Sequence, residues 1–108
     1  MPPDLPLLQG TLDVLILKAL DGEPRHGYDV AAWIRARSGE ALAVEDGALY
    51  TALHRMRKKG WIEGEWGRSE NQRRAKFYHL TELGRERLRS EADSWDRYVA
   101  AVSRVLGA

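Results

Sequence analysis

"RMRKKGWIEGEWGRSENQRRAKFYHLT", residues 55–81, decides how this chain is read. Four of its first five residues are cationic: Arg55, Arg57, Lys58 and Lys59. Two short runs rich in aromatic and β-branched residues follow, "WIEGEW" at 61–66 and "AKFYHLT" at 75–81. Between them lies "GRSENQRR", a polar stretch carrying Arg68, Arg73 and Arg74. Two such runs joined by turn-forming polar residues predict a β-hairpin, with Ile62 and Leu80 facing inward.

Upstream of the hairpin a helix is expected from Asp46, read as its N-cap, to Lys59, with Gly60 as the stop. Leu49, Leu53 and Met56 share one face. Gly47, Tyr50, Thr51, His54 and Lys58 form the opposite stripe at helical spacing. Before it, a helix over 27–37 points Val30, Trp33 and Ile34 inward, and Ser38-Gly39 ends it. The connector "EALAVED" alternates Leu42 and Val44 like one short strand. The first helix starts at Thr11, with Leu12, Leu15, Ile16, Ala19 and Leu20 on one face and Val14 and Leu17 on the other. A helix apolar nearly all round is buried on more than one side, and in so short a chain a second molecule would cover it. "PPDLP" near the start reads as a loose leader and "DGEP" at 21–24 as a turn.

Downstream, Thr81 is a natural N-cap for a long last helix. Leu88, Ala92, Trp95, Val99, Val102 and Leu106 form a coiled-coil-type seam on it, widened by Tyr98 and Val105. The order helix, helix, helix, hairpin, long helix describes a winged helix-turn-helix. The fold class is mainly α with a two-stranded β-hairpin and a C-terminal dimerisation helix. Its third helix is sized for a DNA major groove.

With 108 residues the chain forms one small domain, and 44% hydrophobic content gives a modest core. There is no cysteine, hence no disulfide, thiol nucleophile or thiolate metal site. The first residues, "MPPDLPLLQG", lack a basic n-region and a long apolar run, so neither signal peptide nor membrane span is expected and the cytoplasm is the default location. The net charge of +1 hides an asymmetry. Residues 46–79 hold eight Lys/Arg against four Asp/Glu, a balance of +4, and the remainder holds nine against twelve, a balance of −3. A basic segment in an acidic frame suits a polyanion-binding face; the bland alternative is an ordinary solvated surface.

Catalysis finds little support. His26, His54 and His79 fall on three different elements, with no H-E-x-x-H, G-x-S-x-G or phosphate-cradling glycine loop. "HGYD" at 26–29 has neither a nucleophile nor an orienting third group nearby, and three isolated histidines form no metal cage. No catalytic residue, metal or cofactor is therefore assigned. The stripe on the third helix is mixed polar and aromatic, unlike a merely solvated face. Gly47 lowers helix stability and permits close approach to a DNA backbone, although it also reads as part of a cap. Tyr50 is either a groove contact or packed against the hairpin. Arg55 and Lys58 suit phosphates, which give affinity and salt dependence but little sequence choice. Arg68, Arg73, Arg74 and Lys76 would act from the wing; a solubilising loop is the plain alternative. Trp95 in the seam is first a packing residue. In a dimer, paired copies of Trp95, with Val99, would wall a site for a flat apolar ligand. Trp33, Trp61 and Trp66 read as core or hairpin packing.

Several stretches together resemble PadR-type transcriptional regulators: "GTLDVLILKAL", "HGYDVAAWI", "DGALYTALHRMRKKGWI", "SENQRRAKFYHLTELGRERL" and Trp95. The likeness spans about residues 7–106 and is strongest to the short subgroup with one C-terminal helix, especially a branch described from acidobacteria. The resemblance implies a winged-helix DNA-binding domain, a homodimer formed through the last helix with help from Leu12 and Leu15 of the first, and usually repression. It implies response to aromatic or drug-like compounds and control of export or detoxification genes. Carried over, Asp46 to Lys59 is the recognition helix, Trp61 to Thr81 the wing, and Thr81 to Leu106 the dimer and ligand helix. Residues 1–80 would be the DNA-binding domain and 81–108 the dimerisation helix, in one compact unit. Thr51 stands where the family most often has proline, and Asp46-Gly47-Ala48 where a polar start is common, so the operator sequence is open. A palindromic double-stranded operator and a second copy of the chain are the expected partners, with no membrane. A winged-helix protein–protein adaptor is the competing reading; it does not need the +4 balance over helix and wing.

Overall fold

A computed structural model gives the fold and describes residues 10–107. The proline-bearing leader lies outside the described residues. Seven elements follow in order: α1 (Thr11–Ala19), β1 (Arg25–His26), α2 (Gly27–Arg37), α3 (Asp46–Lys58), β2 (Ile62–Arg68), β3 (Arg74–Leu80) and α4 (Glu82–Val105).

On α2 and α3 the core is built from the faces that periodicity marks, whereas on α1 it also takes Leu17 from the side read as opposite. Ile16, Leu17 and Leu20 of the first helix region meet Val30 and Ile34 of α2 and Leu49, Leu53 and Met56 of α3, all buried. Ile62 and Leu80, cross-strand partners at the root of the hairpin, close the core from below as expected. Leu12, Val14 and Leu15 are only half-buried, so the all-round apolar character of α1 leaves surface uncovered.

The two-stranded hairpin proves to be a three-stranded antiparallel sheet in the order β1-β3-β2. β1 is two residues long and pairs Arg25 with Tyr78 and His26 with Phe77. Arg25 holds this short strand in place. Its Nε donates to the Ala19 carbonyl at 2.7 Å and its terminal nitrogens reach Asp29 and Glu23. His26 then caps α2, its Nδ1 accepting from the Asp29 N–H, and meets Phe77 edge-on at 5.2 Å. The connector does not become a strand of this sheet; Leu42 makes one isolated bridge. The N-cap of α3 is Glu45 and not Asp46, which already lies in the first turn, where its charge favours the helix dipole.

α4 begins at a tight joint. Thr81 Oγ accepts from the Gly84 N–H, and its hydroxyl donates to the carbonyl of Gly60 at 2.6 Å, with that of Trp61 3.0 Å away. Gly84 lies against the Trp61 carbonyl oxygen, with which any Cβ at 84 would collide. Lys59 and Arg87 lie over the Trp61 ring at 5.0 and 4.9 Å. Leu88, expected in the intermolecular seam, is 9% exposed and belongs to the core of its own chain. Beyond it α4 leaves the body of the domain.

Candidate nucleic-acid interface

The exposed side of α3 carries the stripe expected for it. Gly47, Tyr50, Thr51, His54 and Lys58 are all exposed, while Leu49, Ala52, Leu53 and Met56 are buried behind them. Among the described residues, no atom outside its own stretch of helix comes within 4 Å of a Cβ built at Gly47, so no contact seen there requires a glycine. Tyr50 does two things at once. It stays 51% exposed, yet its phenol lies across Gly27, where a Cβ would stand 2.7 Å from the hydroxyl oxygen. Gly27 therefore lets the start of α2 seat directly against α3, which fixes the angle of the helix-turn-helix.

Arg55 has a different place from the phosphate contact expected of it. Its two terminal nitrogens donate to both carboxylate oxygens of Asp13 in α1, at 2.8 and 2.7 Å. These hydrogen bonds are the main reason its guanidinium pKa lies above the usual value. A bidentate, partly buried pair ties α3 to α1 and neutralises the charge. Lys58 makes no ion pair among the described residues.

The wing extends further than the aromatic runs suggest, because β2 and β3 pair out to Arg68 and Arg74. The turn that remains is held by Ser69 and Arg73, with the Ser69 N–H donating to the Arg73 carbonyl at 2.8 Å, and Gln72 takes a left-handed φ of 61°. Arg68 donates to the Gln72 carbonyl and so braces this turn. Arg73 and Arg74 are exposed, and Lys76 is half-buried. Trp66, expected to pack in the hairpin, is 59% exposed instead, with the Arg74 guanidinium 4.4 Å from its ring centre.

Between α3, the start of α2 and the inner side of the wing runs an open groove of about 850 Å³. Tyr50, Trp66, Arg73, Arg74, Lys76 and Tyr78 line it, among others. Burial pushes the Tyr78 phenol above its ordinary range, the neighbouring Tyr50 phenol adds to this, and Arg57 opposes it. The groove thus brings the four wing cations Arg68, Arg73, Arg74 and Lys76 together with Tyr50, one of the six α3 residues singled out from the sequence. Gly47, Thr51 and Arg55 line a second, smaller hollow beside the start of α1.

A family model described as "Transcriptional regulator PadR-like family" matches residues 16–90. The chain belongs to the PadR family. A PadR-like regulator from Bacillus cereus has a solved structure that is 30% identical, covers 94% of this chain and 96% of that one, and superposes with a TM-score of 0.79. A PadR family regulator from Clostridium difficile is 29% identical, covers 91% and 100%, and gives 0.78. An uncharacterised protein of Lysinibacillus sphaericus is 28% identical over 89 residues, 82% of each chain. This PadR protein is a DNA-binding transcriptional regulator with a winged helix-turn-helix, and not an enzyme. Among the described residues no helix is long and apolar enough to cross a membrane.

The distal half of α4 presents an exposed apolar row. Trp95, Tyr98, Val99, Val102, Val105 and Leu106 are all exposed, and Ala92 is half-buried where the helix leaves the core. Trp95 and Tyr98 lie 6.3 Å apart between ring centres. Sequence reasoning missed Arg25 as the anchor of β1 and Asp13 as the partner of Arg55. The first had no periodic signal. The second required knowing which faces of α1 and α3 meet.

Proposed function

We propose that this PadR protein is a cytoplasmic homodimeric repressor of export or detoxification genes, acting on a roughly palindromic operator and released by an aromatic small molecule. The observation that carries the homodimer is the row of exposed apolar side chains on the distal half of α4. A stripe of that size on a lone helix calls for an apolar cover, and its coiled-coil spacing suits a second copy of itself. Leu12 and Leu15, half-buried on α1, would extend the contact. Two-fold symmetry then sets half-sites about one helical turn apart. Repression, the class of target gene and the effector rest on the family resemblance. For the effector, Trp95 and Val99 offer an apolar wall at the symmetry axis.

In this reading Gly47, Tyr50, Thr51 and His54 enter the major groove. Lys58, Arg68, Arg73, Arg74 and Lys76 meet the DNA backbone or minor groove. Arg55 sets the position of α3 through Asp13 and adds little charge of its own. Gly47 gives the sharpest check of the groove residues. Alanine there should stabilise the free protein by about 0.5 kcal/mol through helix propensity, and should weaken operator binding if DNA approaches the backbone closely.

The deciding experiment is anisotropy of a labelled duplex from just upstream of its own gene, against a scrambled duplex, at about 50 and 200 mM salt. Preference for the upstream duplex that survives the higher salt supports an operator-reading repressor. Equal binding to both, erased by salt, would leave a general polyanion face. Displacement of the bound duplex by planar aromatics, lost in Trp95→Ala, tests the effector.

A further inference from the structure

Trp66 stands out because nothing in the fold accounts for it. It is the exposed tryptophan of the wing, at 59%, and it fills no part of the core. On the same face of the sheet it is the direct cross-strand partner of Lys76, and Arg74 is two residues from Lys76 along β3. The Arg74 guanidinium lies 4.4 Å from the ring centre and the Lys76 ammonium 5.8 Å. The stem of Lys76 reaches its place by running over Gly64, where a Cβ would stand 2.7 Å from Cε and 3.3 Å from Cγ. Neither cation has a carboxylate partner among the described residues.

The contrast with Arg55 gives this arrangement its meaning. A carboxylate can hold an arginine in place, as Asp13 holds Arg55, but it neutralises the charge it orders. An aromatic ring orders a cation through its quadrupole and leaves the whole positive charge available to a phosphate. Long cationic side chains lose rotamer freedom when they bind, and a ring that already restricts them lowers that loss.

We infer that Trp66 is a positioning residue for DNA binding, holding Arg74 and Lys76 over the groove between wing and α3 so that both meet the phosphate backbone with their charge intact. The inference rests on the assignment of the wing to DNA. It also assigns Gly64 a role, since a side chain there would push Lys76 off its path.

Anisotropy of fluorescein-labelled duplexes, one from upstream of the gene and one scrambled, tests this in five variants of the full chain, with thermal melts as the folding control. Trp66→Ala should weaken binding to both duplexes by about fivefold, the order expected for loss of exposed cation–π contacts. Trp66→Phe should retain most of the affinity. Trp66→Leu, which keeps apolar bulk without a quadrupole, should behave like alanine and so separates ring electrostatics from packing. In the Arg74→Ala/Lys76→Ala background, Trp66→Ala should have almost no further effect. An equal loss in that background would overturn the inference in favour of a ring that touches DNA itself. A silent Trp66→Ala beside a costly Arg74→Ala/Lys76→Ala would overturn it while leaving the wing on DNA. A silent Arg74→Ala/Lys76→Ala would remove the wing assignment and the role of Trp66 together.

Discussion

The two ends of α4 carry the same apolar spacing and have opposite surroundings. Near its start, Gly84 lies under the Trp61 carbonyl and Leu88 is enclosed by the core. Toward its end, Val99 and Val102 are exposed, and Val105 is 86% exposed. One helix therefore serves as an internal wall of the domain and as an external surface. A helix rooted this firmly carries whatever covers its distal half as a rigid extension of the winged helix. Twenty-four residues of α-helix extend about 36 Å.

The root of α4 should be the more sensitive end, and Gly84→Ala is the most severe way to show it. The added methyl meets backbone, which cannot rotate away as a side chain can. Overpacking of this kind is expected to remove about 3 kcal/mol. That corresponds to a fall in melting temperature on the order of 12 °C or more at fixed protein concentration. A melt within about 2 °C of the parent would mean that the joint yields and the contrast between the two ends is soft. Leu88→Ala follows, at about 2–3 kcal/mol, since it removes buried methyls that the surrounding core cannot replace. If Leu88→Ala instead dissociated the proposed dimer without lowering the stability of the separated chains, Leu88 would return to the seam.

Leu88 also shows where sequence reading stops. The spacing from Leu88 to Leu106 is unbroken, and a period reports which side of a helix is apolar, not what lies against it. Only the docking of α4 on α1 and β3 divides that row into core and surface. The same limit applies to Trp66, whose residue type suggests burial while its place far out on the wing leaves it in solvent. Elements with strong local signals were legible: α2 over 27–37, the Gly60 stop with its φ of 79°, the Thr81 cap and the inward pair Ile62 and Leu80. β1 was not legible, because a two-residue strand has no period and depends on Arg25 and on β3 for its pairing. The exposed stripe of α3 was readable, but the engagement of Arg55 by Asp13, forty-two residues away in sequence, was not.

Thr81→Ala tests the joint more gently. It removes the cap on Gly84 and the hydroxyl that donates to the carbonyls of Gly60 and Trp61. The expected loss is about 1–2 kcal/mol, read as a melting shift with oligomeric state unchanged. Thr81→Ser keeps the hydroxyl and should recover most of it, whereas an equal loss in Thr81→Ser would assign the effect to packing of the methyl group and not to the cap.

At the distal end the effect on the folded chain should be smallest, while the effect on the proposed association should be large. Val102→Asp places a charge on a side chain that its own chain leaves exposed. Surface changes of this sort alter fold stability by about 0.5 kcal/mol or less. A carboxylate buried between two copies would be unpaired, and the interface would not tolerate it. Sedimentation should then show a monomer. The melting temperature should lose the concentration dependence that a dimer imparts, since association stabilises by mass action. Val102→Asp should also lower operator affinity through the lost second half-site, while binding to a single half-site by each chain persists. A dimer that survives Val102→Asp would place the partner elsewhere, with the half-buried apolar face of α1 as the next surface to test. The exposed row on α4 would then need another occupant, and the rigid root would be transmitting something other than dimer geometry to the wing.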